Sequence, residues 1–126
     1  MVASLQRRKQ YIAALVIGVS SSAMAQDAQQ AEVAECIGSY FMSATMALSC
    51  DMPYIPEPPC VQQQAELGQT DFDLFFEREE AAAAWADQYA AMRGFSYPAG
   101  GADICDAAAR EIADQTAIGQ MLGGAQ

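Results

Sequence analysis

The sequence contains no histidine among its 126 residues. Histidine is the commonest general base near neutral pH and the commonest metal ligand, so its absence excludes Ser-His-Asp and Cys-His catalytic arrangements. The chain also has no glycine-rich phosphate loop and no two cysteines separated by two residues. We therefore expect a protein that is not an enzyme, with no catalytic residue, no metal and no cofactor.

Paired carboxylates could still act as acid and base, and the densest acidic run is the best place to look for them. This run contains Asp71, Asp73, Glu77, Glu79 and Glu80. On a helix, Glu77 and Glu80 lie opposite the side of Phe75, Trp85 and Tyr89, as the residues of a solvated face do. We interpret the run as a solvent-exposed face rather than a catalytic pair.

Basic residues are also scarce, and half of the six lie at positions 7–9 as Arg-Arg-Lys. An apolar run at 11–19 follows, and small residues then end in an A-x-A motif at Ala25. This order is typical of a secretory signal peptide. We expect residues 1–25 to be removed by cleavage after Ala25, and the protein to be periplasmic or secreted. The apolar run is much shorter than the ~20 residues that a spanning helix needs, so we expect no membrane span.

Removal of the signal leaves only three basic residues, Arg78, Arg93 and Arg110, against sixteen acidic ones. The net charge of residues 26–126 is therefore −13. Such a chain repels nucleic acid and anionic lipid surfaces, and it attracts cationic partners. Two interpretations stay open: the charge serves solubility alone, or it binds a cationic envelope or secreted protein.

Residues 26–126 are predicted to form one small all-α domain. The helical spacing of apolar residues predicts three long helices, at about 27–50, 71–93 and 102–122, with a short helix at about 60–67. Short or cross-linked connections favour an up-down-up order for the three long helices. We see no segment with the alternating pattern of a strand.

The predicted helix ends rest on capping residues. Asp27, with Gln30 three residues later, is expected to cap the first helix. Thr70 is expected to cap the second long helix, which should end at Gly94, the residue type that best adopts the left-handed conformation. Beyond Cys50, four prolines within nine residues prevent the first helix from continuing.

One face of the first helix is predicted to be an apolar stripe about 120° wide. The stripe consists of Val33, Ile37, Tyr40, Phe41, Ala44, Ala47 and Leu48.

Four cysteines in a short exported chain favour two disulfides. Cys36 and Cys50 are fourteen residues apart on one helix, about 21 Å, whereas a disulfide needs Cα atoms within about 7 Å. This distance excludes their pairing with each other. The up-down-up order then places the start of the last helix beside the start of the first. We therefore predict the pairs Cys36–Cys105 and Cys50–Cys60.

The methionines of the first helix are the best candidates for a contact beyond the fold. Met42 and Met46 point away from the apolar stripe, and Met52 is near them in the following loop. They could be covered by the chain itself, contact a partner protein, or bind copper(I) through their thioethers. Tyr54 and Ile55 lie on the same proline-rich loop, which a disulfide would hold in place, so we include them among the partner-binding candidates. The alternative is that this loop folds back as a lid on the top of the bundle.

These observations predict an exported, acidic, disulfide-stabilised helical protein that binds another protein, as an inhibitor, an immunity protein or an envelope-stress accessory does. The alternative is a periplasmic copper(I) carrier that uses Met42, Met46 and Met52. Both are expectations from class, charge and size rather than from a recognised motif.

Overall fold

The structure, a computed structural model, describes residues 13–53, 55–97 and 102–124. Its helices are α1 (Ala13–Ser49), α2 (Pro59–Thr70), α3 (Phe72–Arg93), α4 (Ala102–Ala113) and α5 (Ala117–Gly124).

The fold is all-α, as predicted, and no strand occurs in the part of the chain that the structure describes. Within that same part, none of the helices combines the length and the apolar character that crossing a membrane requires. The chain divides into two compact units, Met1–Glu32 and Val33–Gln126. The disulfides, the core and the cavities considered below all belong to the second unit.

The start of α1 differs from the prediction. Asp27 lies inside the helix, which already begins at Ala13, and so it does not cap it. The physical reason is that positions 19–37 contain neither glycine nor proline and are rich in alanine, glutamine and glutamate. Residues of these types favour helix, so nothing interrupts the helix before Asp27.

The predicted end of α1 is confirmed. Asp51 adopts a left-handed conformation with φ of 56°, and the Met52 amide donates to the Ala47 carbonyl at 2.8 Å. This is the reverse turn that commonly closes a helix. Pro53 follows at once and cannot continue the helix.

The predicted disulfide pairing is wrong. Cys36 is bonded to Cys60, and Cys50 is bonded to Cys105, with Cα atoms 6.4 Å and 5.5 Å apart respectively. Helix α4 therefore begins beside the end of α1, near Cys50, and not beside Cys36 as predicted. The structure leaves no free cysteine.

The cause of the error is the proline segment, which we define as residues 51–58. Cys50 and Cys60 are joined by ten residue steps, which reach about 33 Å when extended. This is enough to return along the ~21 Å of helix between Cys50 and Cys36. Pro58 is extended, with φ of −74° and ψ of 164°, and Ile55 is buried. The proline segment therefore returns along α1 from Cys50 toward Cys36, and it does not close on itself as a loop.

Helices α2 and α3 form a hairpin joined by a single residue, Asp71. Its amide closes α2 by donating to the Leu67 carbonyl at 2.8 Å, and its side chain caps α3 by accepting from the Leu74 amide at 3.2 Å. Asp71 therefore takes the capping role predicted for Thr70. The Thr70 hydroxyl instead donates to a carbonyl within α2.

Small residues let α1 and α3 approach closely. A Cβ atom added to Gly38 would lie 2.7 Å from Cε3 of Trp85 and 2.9 Å from the carbonyl oxygen of Ala82. The buried residues of α3 are all alanines: Ala82, Ala86 and Ala90. The helix then ends, as predicted, at Gly94 with φ of 82°.

The predicted last helix is two helices. The chain turns at Gln115, whose φ is 57°, and the Thr116 hydroxyl accepts from the Gly119 amide at 3.0 Å. Gly119 permits the fold-back, because a Cβ there would lie only 1.8 Å from the Glu111 carbonyl oxygen. A glycine inside an apolar pattern thus marks a close backbone approach rather than a weak point in one long helix.

The close approach at Gly38 can be tested by adding one methyl group. In Gly38→Ala, the new methyl meets a backbone carbonyl that cannot move cheaply. We expect a net loss of about 1–2 kcal/mol of unfolding free energy, because overpacking outweighs the better helix propensity of alanine. Urea unfolding followed by circular dichroism measures it.

Gly123→Ala is the matched control, because nothing lies within 4 Å of a Cβ at that position. It should be neutral or stabilise by up to about 1 kcal/mol. Equal unfolding midpoints for Gly38→Ala and the wild type would contradict the close packing of α1 on α3.

Candidate functional site

The two methionines on α1 are part of the core. Met42 and Met46 are fully buried, and they belong to the same apolar cluster as Ile104, Ile118 and Leu122 of the C-terminal helices. The chain therefore covers them itself, which is one of the three interpretations of their position. This burial gives no support to the copper(I) alternative, because that site would need thioethers that a metal ion can reach.

The candidates on the proline segment lie in a different place from Met42 and Met46. Met52 is half-buried and packs against the core, and Ile55 is buried in it. Tyr54 lies outside the described residues. Met52 and Ile55 line a cleft of about 290 Å³ between the proline segment and α1. The structure thus brings Met52 and Ile55 together on one side of α1, in a cleft that Met42 and Met46 do not line.

Parts of the predicted α1 stripe are exposed. Leu48 is 86% exposed and Phe41 is 40% exposed, whereas Ile37, Tyr40 and Ala47 are buried. The core side of α1 is wider than the stripe, because the proline segment, α3 and the C-terminal helices contact it from different directions. Phe41 lines a second cleft, of about 350 Å³, between α1 and α3.

An exposed group of aromatic side chains lies at the start of α3. We name Phe72, Phe75 and Phe76 the aromatic platform. Phe72 is 57% exposed and Phe76 is 52% exposed. Their ring centroids are 4.5 Å apart in an edge-to-face arrangement, and the Phe75 ring is parallel to that of Phe72 at 6.0 Å. Such offset or edge-on pairs are the favoured geometries of aromatic rings.

Contacts with α2 hold the aromatic platform in place. Phe75 packs against Gly68 of α2, whose position for a Cβ is 3.5 Å from the ring. The buried amide of Gln64 donates to the Phe75 carbonyl at 2.9 Å and to the Glu79 carboxylate at 3.2 Å. The rings are therefore positioned by contacts with α2 rather than by each other alone.

Exposed carboxylates lie beside the aromatic platform, because Asp73 and Glu80 are three residues before and four residues after Phe76 on the same side of α3. Of the five residues predicted to form a solvated acidic face, Asp71, Asp73, Glu77 and Glu80 are exposed, whereas Glu79 is half-buried and accepts from the Gln64 amide. The only arginine within this stretch, Arg78, is half-buried.

Sequence reasoning missed the aromatic platform, although a signal was present. The spacing Phe72, Phe76, Ala83, Ala86 and Ala90 follows one face of α3 in steps of three, four or seven. Its later positions are buried in the bundle or line the second cleft, whereas its first two are exposed. The apolar stripe of α3 is thus longer than the surface that covers it in the described part of the chain.

Glu111, the one buried carboxylate among the residues whose burial the structure describes, serves the fold. Its side chain is 1% exposed, and it accepts hydrogen bonds from Tyr89, from the Arg93 Nε at 2.6 Å and from the Thr116 hydroxyl at 2.7 Å. Arg93 also pairs with Asp114. Glu111 therefore ties α3, α4 and the start of α5 together, and its enclosure leaves no room for a substrate.

The environment of Glu111 favours its charged form. Burial by itself would raise the pKa of this carboxyl, but the hydrogen bonds from Thr116, Tyr89 and Arg93 outweigh burial and hold the pKa below its usual value. The pKa of Tyr89 is raised by burial and by its bond to Glu111.

The cleft beside the end of α3 is open and polar. This cleft, of about 480 Å³, lies between the end of α3 and α4 and carries the exposed side chains of Asp103, Asp106 and Arg110. Within the described residues, no three acidic or cysteine side chains come close enough to hold a metal ion.

Comparison with protein-family models, with curated proteins and with solved structures finds no match. What the chain does must therefore be argued from its own residues.

Glu111 should make the fold sensitive to acid. Because its pKa is lowered in the folded state, its stabilisation is complete above the unfolded value of about 4.3 and is lost as the pH falls below it. Glu111→Gln should cost about 2–4 kcal/mol at pH 7, since it removes the charge that Arg93 faces. Urea unfolding at several pH values measures the difference from the wild type.

The difference between Glu111→Gln and the wild type should shrink steadily as the pH falls below the unfolded pKa of about 4.3, because protonation of the wild-type carboxyl then removes the same charge. Glu57→Gln is the control, because Glu57 is an exposed residue of the proline segment. It should leave the free energy of unfolding nearly unchanged at pH 7 and at pH 3. A gap of constant size from pH 7 to pH 3 would contradict the assignment of this charge as stabilising.

Proposed function

We propose that this chain is an exported protein-interaction domain without enzymatic activity, and that it binds a cationic envelope or secreted protein. The proposal covers the class of an inhibitor, an immunity protein or an envelope-stress accessory. Two disulfides support export, because such bonds persist in oxidising compartments outside the cytoplasm.

The observation that carries the proposal is the one-sided charge of the surface. Of the three arginines beyond the signal region, Arg78 and Arg93 are half-buried and only Arg110 is exposed. The exposed acidic residues are Glu32, Glu35, Asp51, Glu57, Glu66, Asp71, Asp73, Glu77, Glu80, Asp87, Asp103, Asp106 and Asp114.

A surface of one sign has two consequences. It attracts partners of the opposite sign from a distance and speeds their association. It also destabilises the compact chain by self-repulsion. Solubility alone needs a net charge of only about 2–8 for a small domain, so −13 exceeds that requirement. The excess favours the interpretation of the charge as part of a binding function.

Export predicts a defined N-terminus. When the full chain is produced in a bacterial host, we expect the protein in the periplasmic fraction to begin at Gln26, after cleavage at Ala25. Intact-mass measurement and N-terminal sequencing check this. A chain that stays in the cytoplasm with residues 1–25 attached would contradict export.

Binding to a cationic partner predicts salt dependence. The exported protein, immobilised in its oxidised form, should retain basic proteins from an envelope extract at about 20 mM salt and lose most of them at about 500 mM. Mass spectrometry of the retained proteins gives their isoelectric points. The control surface carries an acidic protein of similar size and charge but unrelated fold.

Two results of this capture experiment would count against the proposal. One is retention of the same proteins by the control surface, which would reduce the charge to a non-specific effect. The other is retention of nothing at low salt, which would leave solubility as the role of the charge.

A further inference from the structure

The aromatic platform is a cluster of exposed apolar side chains in the second unit. Two phenylalanines more than half exposed, in contact with each other, form a continuous apolar surface. Exposed aromatic groups of this kind mark interaction sites more often than solitary exposed apolar residues do. The other strongly exposed apolar side chains, Leu48 and Met92, are at 86% and 75% on other parts of the chain.

The platform is organised before any partner arrives. Phe75 is fixed against Gly68, and the carbonyl of Phe75 is held by the buried Gln64 side chain. Phe72 and Phe76 in turn pack on Phe75 with centroid distances of 6.0 and 6.1 Å. Binding to a rigid aromatic surface loses less side-chain entropy than binding to flexible side chains, so the geometry suits a recognition surface.

Charge decides which occupant fits. The stretch from 71 to 80 carries five carboxylates and one half-buried arginine. A second copy of the same surface would place like charges opposite each other, which disfavours pairing of two platforms. Anionic lipid is repelled for the same reason. A cationic segment gains from the carboxylates and also from the faces of the phenylalanine rings, which attract ammonium and guanidinium groups.

We propose that Phe72, Phe75 and Phe76, together with the carboxylates beside them, form the docking surface for a cationic, partly apolar segment of the partner protein. This inference rests on the proposed function, since it names the place and the chemistry of a contact with a cationic partner. Arginine or lysine side chains of the segment lie against the rings and pair with Asp73 and Glu80, which are spaced three and four residues from Phe76 on α3. An apolar side chain of the segment covers the exposed edge of Phe76.

The surface next to the platform sets the length of the segment. Ala83 is two turns beyond Phe76 on α3, about 10 Å away, and it lines the cleft of about 350 Å³ that Phe41 borders. A helical segment of about fourteen residues, some 21 Å long, spans both features.

The test uses three synthetic peptides of about fourteen residues as probes. One carries arginine and leucine on a single helical face, one carries arginine and serine, and one carries glutamine and leucine. Fluorescence anisotropy with the oxidised, exported protein gives each dissociation constant at about 20 and 150 mM salt. We expect the arginine–leucine peptide to bind at least about tenfold tighter than either of the others.

Substitutions locate the contact. Phe72→Ser/Phe76→Ser should weaken binding of the arginine–leucine peptide at least about tenfold, because it removes the exposed rings. Leu48→Ser/Met92→Ser is the matched control, with two still more exposed apolar residues removed elsewhere, and should change the dissociation constant less than about twofold. Circular dichroism confirms that each variant is folded. Asp73→Asn/Glu80→Gln, which leaves the rings intact, should weaken binding and flatten its salt dependence.

The outcomes separate this inference from the proposed function. Equal binding by the platform variant and the control variant overturns the platform while leaving a cationic partner in place. No binding of any peptide, with salt-sensitive capture of basic envelope proteins retained, also overturns the platform alone. No peptide binding and no capture overturn both. A concentration-dependent dimer in sedimentation that Phe72→Ser/Phe76→Ser abolishes would show that a second copy is the occupant.

Discussion

The second unit depends on one covalent constraint: the two disulfides hold the same stretch of α1 at both of its ends. Cys36 and Cys50 are separated by about 21 Å of helix, and each is bonded to a different later part of the chain. Cys60 fixes the start of the α2–α3 hairpin near one end, and Cys105 fixes the start of α4 near the other. The proline segment must therefore return along α1, and the α2–α3 hairpin must carry the chain back toward Cys50.

Within that frame, α3 packs on α1 mainly by close approach, whereas large apolar side chains such as Met42, Met46 and Ile104 fill the core beside it. The buried face of α3 is alanine, and alanine removes little apolar area from water. Stability at such an interface depends on backbone proximity, which Gly38 permits between α1 and α3 and Gly119 permits between α4 and α5. Glu111 adds a buried charge, which joins three helices through side chains of Tyr89, Arg93 and Thr116. The cost of burying it is offset because all its partners are in place.

The sequence was sufficient for the helix class and for several helix ends, because these depend on local signals such as the Arg93-Gly94 cap and the prolines after Cys50. It was insufficient for the pairing of the cysteines. That pairing depends on whether nine residues rich in proline fold back on themselves or stay extended, and both are compatible with proline geometry. The division of the last helix at Gln115 was missed for a similar reason, since only the approach of another backbone reveals why Gly119 is small.

The candidate site was harder to predict than the fold, because apolar spacing indicates where a helix packs but not how far its partner extends. Met42 and Met46 lie outside the apolar stripe predicted for α1, yet they are buried because the C-terminal helices pack against them. Phe72 and Phe76 belong to the apolar stripe of α3, yet their side chains remain more than half exposed. An exposed aromatic surface normally favours self-association, and the carboxylates beside this one oppose that outcome by like-charge repulsion. The same carboxylates do not oppose a cationic partner. On the docking surface that we propose, the charge that disfavours a second copy therefore also favours a cationic partner.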